Sequence, residues 1–397
     1  MSLYDKASIA LIPSGTKASK LYSVLPANGD GDFNATRGST ATRINKDGLI
    51  ETVATNVPRL DYPVTSGIVG DCPHLLLEPS STNKFPYSNQ KVSGGLETFG
   101  AGTNSITVTN NYATSPDGSL NAMRMVATCG STSSDRAGLR DTITMSAASA
   151  TLSFHAKSNT SLTQTVAIHY NGTNKQTITL TTEWQRFTYS LTSNTANNAG
   201  VEIRGGSTDT SVDVLLFGFQ LEQLEYATSY IATENNASGV TRSADVCNGS
   251  GTSADINSEE GVLFVEFAAL DNDLSERRFG ISNSTTGNIV RIGFTSVSNR
   301  ILGVIYNGGN QAVLTTQSYT ITDFHKVALK YKQNDFALWV DGTEVATDSS
   351  GTTFAADLLS ELAFDNGGGG NLFFGKVKQT LVFNEALSDS ELATLTS

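Results

Sequence analysis

Charge is scarce in this sequence: only 16% of its 397 residues are Asp, Glu, Lys or Arg. Cysteine is scarcer still, with three residues at 72, 129 and 247. They lie far apart and cannot all pair, which excludes a disulfide scaffold and fits a protein made in a cytoplasm with reduced thiols. Cys72-Pro73-His74 is not followed by a second ligand pair at usable spacing, so no metal residue is expected there. Long apolar runs are missing. The most apolar stretch, Gly261 to Leu270, is interrupted by Glu266, so no membrane insertion is expected. The opening MSLYDKASIA lacks the basic start and apolar block of a signal peptide. Basic residues are outnumbered, and the formal charge of −12 argues against nucleic acid as a partner.

Catalytic motifs are missing too. No Glu-x-Asp pair occurs, although glycoside hydrolysis on a sandwich strand needs two carboxylates on one face. There is no Gly-x-Ser-x-Gly elbow, no His-Glu-x-x-His and no phosphate-binding loop. No catalytic residue is expected, and the protein reads as a non-enzyme. Asp271-Asn272-Asp273-Leu274-Ser275-Glu276 offers oxygen ligands of the kind calcium takes. It lacks the glycine of a calcium loop, and a solvated turn is the weightier reading. No other cofactor is suggested.

What is present is a texture of short strands and turns. Apolar residues make up 38% of the chain, with 18 Phe and 12 Tyr, enough for real cores. Seven of the eight prolines lie in the first 86 residues, so residues 1–88 are built differently from the rest. That segment holds short apolar pieces between turn signals, of which Ala7 to Pro13 is expected to form a strand, and has no core of its own. It must pack on its own chain, a second copy or a larger particle. Beyond it, strands are expected at 106–108, 122–127, 151–157, 165–170, 176–180, 187–191, 201–204 and 212–221, alternating in character and fitting a jelly roll over 89–240. Cys247 to Ser253 reads as a flexible spacer. Residues 255–397 read as a second β-sandwich. Asp341-Gly342 marks a tight hairpin, and Ser388-Asp389-Ser390-Glu391 a capping box opening a short helix. The fold class is all-β: an irregular N-terminal attachment region and two sandwiches.

Several residues suit a glycan. His155, with Lys157 beside it, and His169 share outward parity on strands taken as neighbours; they line a polar groove or merely face solvent. Trp184 packs at the rim or stacks on a sugar, and Trp339 fills the core or stands on the other sheet face. Tyr306 to Asn310 forms a loop of lectin type or simply a turn.

The series Arg37, Ser39, Ala41-Thr42-Arg43, Gly48 to Glu51, Asn56, Pro58 to Tyr62, Leu75 to Pro79 and Thr82-Asn83 resembles a segment near the N-terminus of tailed-bacteriophage virion proteins, mostly fibre-like. Ser81 stands where that family usually has Arg. Gln220-Leu221-Glu222 through Ala227-Thr228-Ser229-Tyr230-Ile231 to Thr241-Arg242-Ser243-Ala244-Asp245 resembles the exit that follows jelly rolls in such proteins, with Ala232 for the usual Pro. The pieces around Phe154, Trp184 and Leu215 resemble carbohydrate-binding-module-like jelly rolls. Those modules often hold a structural calcium near an acidic pair, where this chain has Gly218 and Phe219. The Leu338-to-Gly342 hairpin with its late helix resembles a concanavalin-like, laminin-G-like sandwich.

The resemblance implies a phage virion structural protein, fibre-like and receptor-binding, with non-catalytic recognition of a host-surface glycan. It implies self-association, with a homotrimer expected, and contacts to other virion proteins through 1–88. A capsid-decorating or head-fibre protein is the alternative. A polysaccharide depolymerase is disfavoured by the missing carboxylate pair.

Overall fold

The computed structural model describes residues 3–65, 67–193, 195–234 and 236–397. Almost every element is a strand, and the α-helix Asp389–Thr396 comes at the end of the order. No helix among the described residues is long and apolar enough to cross a membrane.

The jelly roll is two five-stranded antiparallel sheets. One runs 97–101, 136–143, 197–204, 164–170 and 173–180; the other runs 104–114, 120–129, 211–222, 149–158 and 185–192. Leu139, Val201 and Ile168 line the inner face of the first sheet and meet Met125, Phe154 and Phe219 from the second. Strands Glu97–Ala101 and Arg136–Ile143 lie outside the sequence expectation. Their apolar residues are few, yet Ala137, Leu139 and Ile143 alternate inward with period two.

The C-terminal sandwich is built from two further antiparallel sheets. Its smaller sheet runs 310–315, 301–307, 288–294, 277–282 and 361–363. Strands 343–348, 336–340, 325–332, 260–269 and 375–383 start the larger one. Asp341 and Gly342 both have positive φ, as the expected hairpin requires. Glu391 accepts hydrogen bonds from the Ser388 N–H at 2.9 Å and hydroxyl at 2.6 Å, closing the capping box.

The larger sheet is completed from the other end of the chain. Strand Gly375–Phe383 is flanked on one side by Glu260–Ala269. Its other side is shared by Ala7–Leu11, which pairs with residues 380–383, and His74–Leu77, which pairs with residues 375–377. Arg59–Asp61 adds the outermost strand. Ile9, Leu11, Leu75 and Leu77 thereby enter the same hydrophobic cluster as Leu263, Val382 and Phe373. At roughly 1.5–3 kcal/mol for each fully buried aliphatic side chain, this contact outweighs any tendency of the segment to detach. Of the three surfaces open to residues 1–88, the chain supplies its own.

The expected spacer is likewise part of a sheet. Val246–Asn248 pairs with Phe33–Thr36, and Cys247 is buried among Leu21 and Phe33. Its Gly and Ser content disguised a strand in which Cys247 fills a core position. The three cysteines are free, with Cys72 exposed and Cys247 buried.

Candidate functional site

The motif residues near the N-terminus gather first, and what they build is architecture. Arg37, Arg59, Glu78, Arg242 and Asp245 are all at most 5% exposed. Arg59 donates to Glu78 at 2.6 Å and to Asp245, Arg242 donates to Glu78 at 2.6 Å, and Arg37 donates to Asp245 at 2.9 Å. Ser229 closes the ring through its N–H and hydroxyl, each 2.7 Å from Glu78. Burial alone would raise the Glu78 carboxyl; Arg242 and Arg59 outweigh it and hold that group far below the usual range. Burial drags Arg37 down despite Asp245. Ser81, in the place of the family's usual Arg, donates to the buried Glu222 at 2.6 Å. Asn83 satisfies its whole amide, donating to Phe219 and Ile231 carbonyls and accepting from Phe85 and Leu221 N–H groups.

This network covers the outer face of the second jelly-roll sheet, which decides the fate of several expected site residues. His155 lies on that sheet and His169 on the first, so the two are not neighbours. The chain crosses between sheets from 149–158 to 164–170, and outward parity there means opposite sides of the sandwich. His155 packs against Phe217, its Nδ1 buried without a partner, and burial beside Arg186 pushes it down to about 3. Lys157 sits 5.5 Å from the Trp184 ring. Trp184 packs with Ile44, Ile50 and Tyr230 under the N-terminal segment. Trp339 is 7% exposed, in the cluster beneath the terminal helix. Tyr306 and Asn310 face each other across a hairpin of the C-terminal sandwich, apart from the rest. In the acidic turn, Asp273 offers both oxygens to Arg277 at 2.7 Å and Glu276 pairs with Arg278 at 2.9 Å. No group of three metal-ligating side chains forms among the described residues.

His169 instead belongs to a cluster on the open face of the first sheet. Register fixes the cluster. Glu97 stands cross-strand from Arg140, Phe99 from Gly138, Gly138 from Glu202, Arg136 from Arg204 and Gly200 from His169. The glycines form a floor. A Cβ on Gly138 would come within 2.7 Å of the Phe99 ring, and one on Gly200 within 2.0 Å of the Leu139 carbonyl. The half-buried Phe99 ring therefore lies flat over the strand, 4.5 Å from the His169 ring and 4.5 Å from the Arg140 guanidinium. His169 and Glu202 are fully buried and meet at 3.0 Å from Nδ1 to Oε2. With Nδ1–H donating to Glu202, Nε2 is left to accept from Arg140 at 3.5 Å. Arg204 takes the second Glu202 oxygen at 3.0 Å. Burial alone would raise Glu202; His169 and Arg204 outweigh it and lower it. Arg136 and Arg204 converge on the Gly172 carbonyl at 3.0 and 3.2 Å.

An aromatic ring, three guanidinium groups and a buried His–Glu pair on an uncovered sheet face can hold a polar ligand. Sequence reading found only His169 of this set. The signal was the alternation Arg136-Ala137-Gly138-Leu139-Arg140, weakened by the glycine. A second, polar cleft of about 550 Å³ lies where the jelly-roll edge meets the C-terminal sandwich, lined by Tyr189, Leu191, Glu225 and Asp271 among others.

Residues 267–393, within the C-terminal sandwich, match the concanavalin A-like lectin/glucanases superfamily of laminin G type. No curated protein matches the chain by sequence. Among solved structures, the CBM40 of Ruminococcus gnavus IT-sialidase bound to alpha2,3 sialyllactose is 19% identical, covers 35% of this chain and 83% of that chain, and has a TM-score of 0.30. Domain 4 of AbnA, a GH43 extracellular arabinanase from Geobacillus stearothermophilus, in complex with arabinotriose, is 9% identical over 44% of this chain and 83% of that chain, TM-score 0.28. A CBM4 structure is 19% identical over 30% of this chain and 86% of that chain, TM-score 0.21.

Proposed function

We propose that this is a non-catalytic glycan-binding protein of a tailed-phage virion, fibre-like and receptor-binding. The observation that carries the glycan reading is the open jelly-roll face, where Phe99, Arg140 and His169 are gathered by ring packing and His169 is fixed by its hydrogen bond to Glu202. Pre-organised planar donors beside an aromatic suit a sugar, because little side-chain freedom is lost on binding. The lectin/glucanases superfamily match over 267–393, on the other sandwich, supports a carbohydrate role for the protein as a whole. The virion reading rests on the N-terminal motif, whose charged residues form the buried network.

Attachment to other virion proteins falls to the surface of residues 1–88. Among the described residues, six of the twelve exposed large apolar side chains lie there, including Val64 at 47% and Ile68 at 74%. A homotrimer on the particle raises weak single-site affinity through effective concentration. The test is incubation with host-surface polysaccharide, reading both retention and new reducing ends. Retention with no new ends is expected; new reducing ends would make the protein a depolymerase.

A further inference from the structure

We infer that the open face of the jelly roll selects a glycan bearing carboxylates, with Arg140 and Arg136 as the residues that read them. The inference rests on the glycan-binding reading above and names the substrate class of the same face.

The argument begins with charge placement. The chain carries −12 overall, yet this one face presents Arg136, Arg140 and Arg204 against Glu202 and Glu97. Glu202 is spent internally on His169 and Arg204. Glu97 stands at the rim, exposed, opposite Arg140 but without an ion pair to it among the described residues. Two cations are left without a carboxylate partner among the described residues. Arg136 donates to a backbone carbonyl and leans on Phe99 at 5.9 Å; Arg140 meets only the long contact to His169 and the Phe99 ring. Among the described residues most other buried or half-buried arginines pair with a carboxylate, as Arg124 does with Asp213 and Arg277 with Asp273, while Arg291 and Arg300 form no such pair.

Fixing an unpaired cation in place works against stability unless something compensates. Here the fixing is deliberate in its geometry. Gly138 lets the Phe99 ring lie low, and the ring in turn supports the Arg140 guanidinium. Arg136 and Arg140 sit on one strand at positions of equal parity with Gly138 between them. Both forks then lie over the same uncovered surface. A guanidinium fork matches a planar carboxylate through two parallel hydrogen bonds. Sugar acids along a chain supply single, spaced carboxylates. A dense phosphate polymer would meet the protein's long-range negative field instead. A neutral sugar could use the same N–H donors but would leave their two positive charges uncompensated.

The test uses the full chain on immobilised polygalacturonate and polysialic acid, on carboxyl-reduced polygalacturonate, and with inorganic phosphate as competitor. Retention on at least one carboxylated polymer is expected, weakened by carboxyl reduction and by salt but only slightly by phosphate. Arg140→Gln should lower affinity about tenfold, the loss of one charge-assisted pair. Glu97→Gln should raise it, since it removes the opposing charge, and this gain cannot come from misfolding. Equal retention of the carboxyl-reduced polymer, or unchanged binding by Arg140→Gln, overturns the inference while leaving glycan binding standing. Competition by millimolar phosphate as strong as by free galacturonate overturns it in favour of a phosphate site. Absence of retention on every glycan, neutral or acidic, overturns the glycan reading itself.

Discussion

Arg59 and Glu78 show what a single residue contributes here. Both are buried, and each is the partner of more than one opposite charge. Removing one partner leaves the others uncompensated, which costs about 3–5 kcal/mol at a buried pair. Glu78→Gln is therefore expected to lower the denaturant midpoint by that order, with the slope unchanged. A loss under about 1 kcal/mol would mean that water reaches the network. His155 yields a pH prediction. Unfolded histidine protonates near 6.5, whereas burial beside Arg186 pushes His155 down to about 3, and His74 is pushed to about 3 by burial and by Lys376 and Lys378. Folded pKa values below the unfolded ones mean that stability is full above pH 6.5 and is lost as pH falls towards 3. Asp61, raised to about 6 mainly by burial, works the other way: its contribution is present below pH 3.8 and lost as pH rises through 6, so it offsets part of the slope. Melting temperature is expected to fall from pH 7 to pH 4.5, and His155→Gln should flatten the fall. A slope identical to the parent's would show that His155 takes up its proton equally in the folded and unfolded states. Sequence alone marked His155 as outward-facing, and so it is. What alternation cannot carry is that another part of the chain, some 100 residues upstream by the roughest reading, covers that face.

Among the elements, those with strong local signals were legible and those made by distant pairing were not. The Asp341-Gly342 hairpin, the Ser388 cap and the long apolar strands all declare themselves within a few residues. Arg136–Ile143 did not, because Arg136, Gly138 and Arg140 occupy its outer positions, and neither did the five-residue Glu97–Ala101, whose outer face carries Glu97 and Phe99; those positions hold the candidate site. Ala7–Leu11 and His74–Leu77 are short pieces whose partner lies in Gly375–Phe383. The isolated fragment 255–397, which the Gly/Ser stretch suggests as self-sufficient, is thus expected to lack a cooperative melt. One flank of its central strand would be bare, and Leu263, Val377 and Val382 would lose Ile9, Leu11, Leu75 and Leu77 as packing partners. Circular dichroism with heating checks this. A sharp two-state transition for the fragment would restore it as an independent unit.

The whole molecule joins its parts by exchange of strands rather than by linkers. Residues 1–88 complete one sandwich, pair Ser81–Asn83 with Val240–Arg242 at the exit of the other, and clamp both through the charged network. Jelly roll and C-terminal sandwich should therefore unfold together. One calorimetric transition is expected for the full chain, splitting into two when Arg37→Met and Arg242→Met loosen the clamp; two transitions in the parent would show that the network transmits little. The pairing of Ala7–Leu11 with residues 380–383 also sets an order of events during synthesis. The ribosome delivers Ile9, Leu11, Leu75 and Leu77 early and their partner strand nearly last. At about 5–20 residues per second, roughly 300 residues of waiting is on the order of 15–60 s. For that time two apolar strand edges stand in the open, exposed to one another on neighbouring nascent chains. A chain halted before residue 375 cannot close its larger sheet, so its fate in the cell is to be held by chaperones or lost to aggregation.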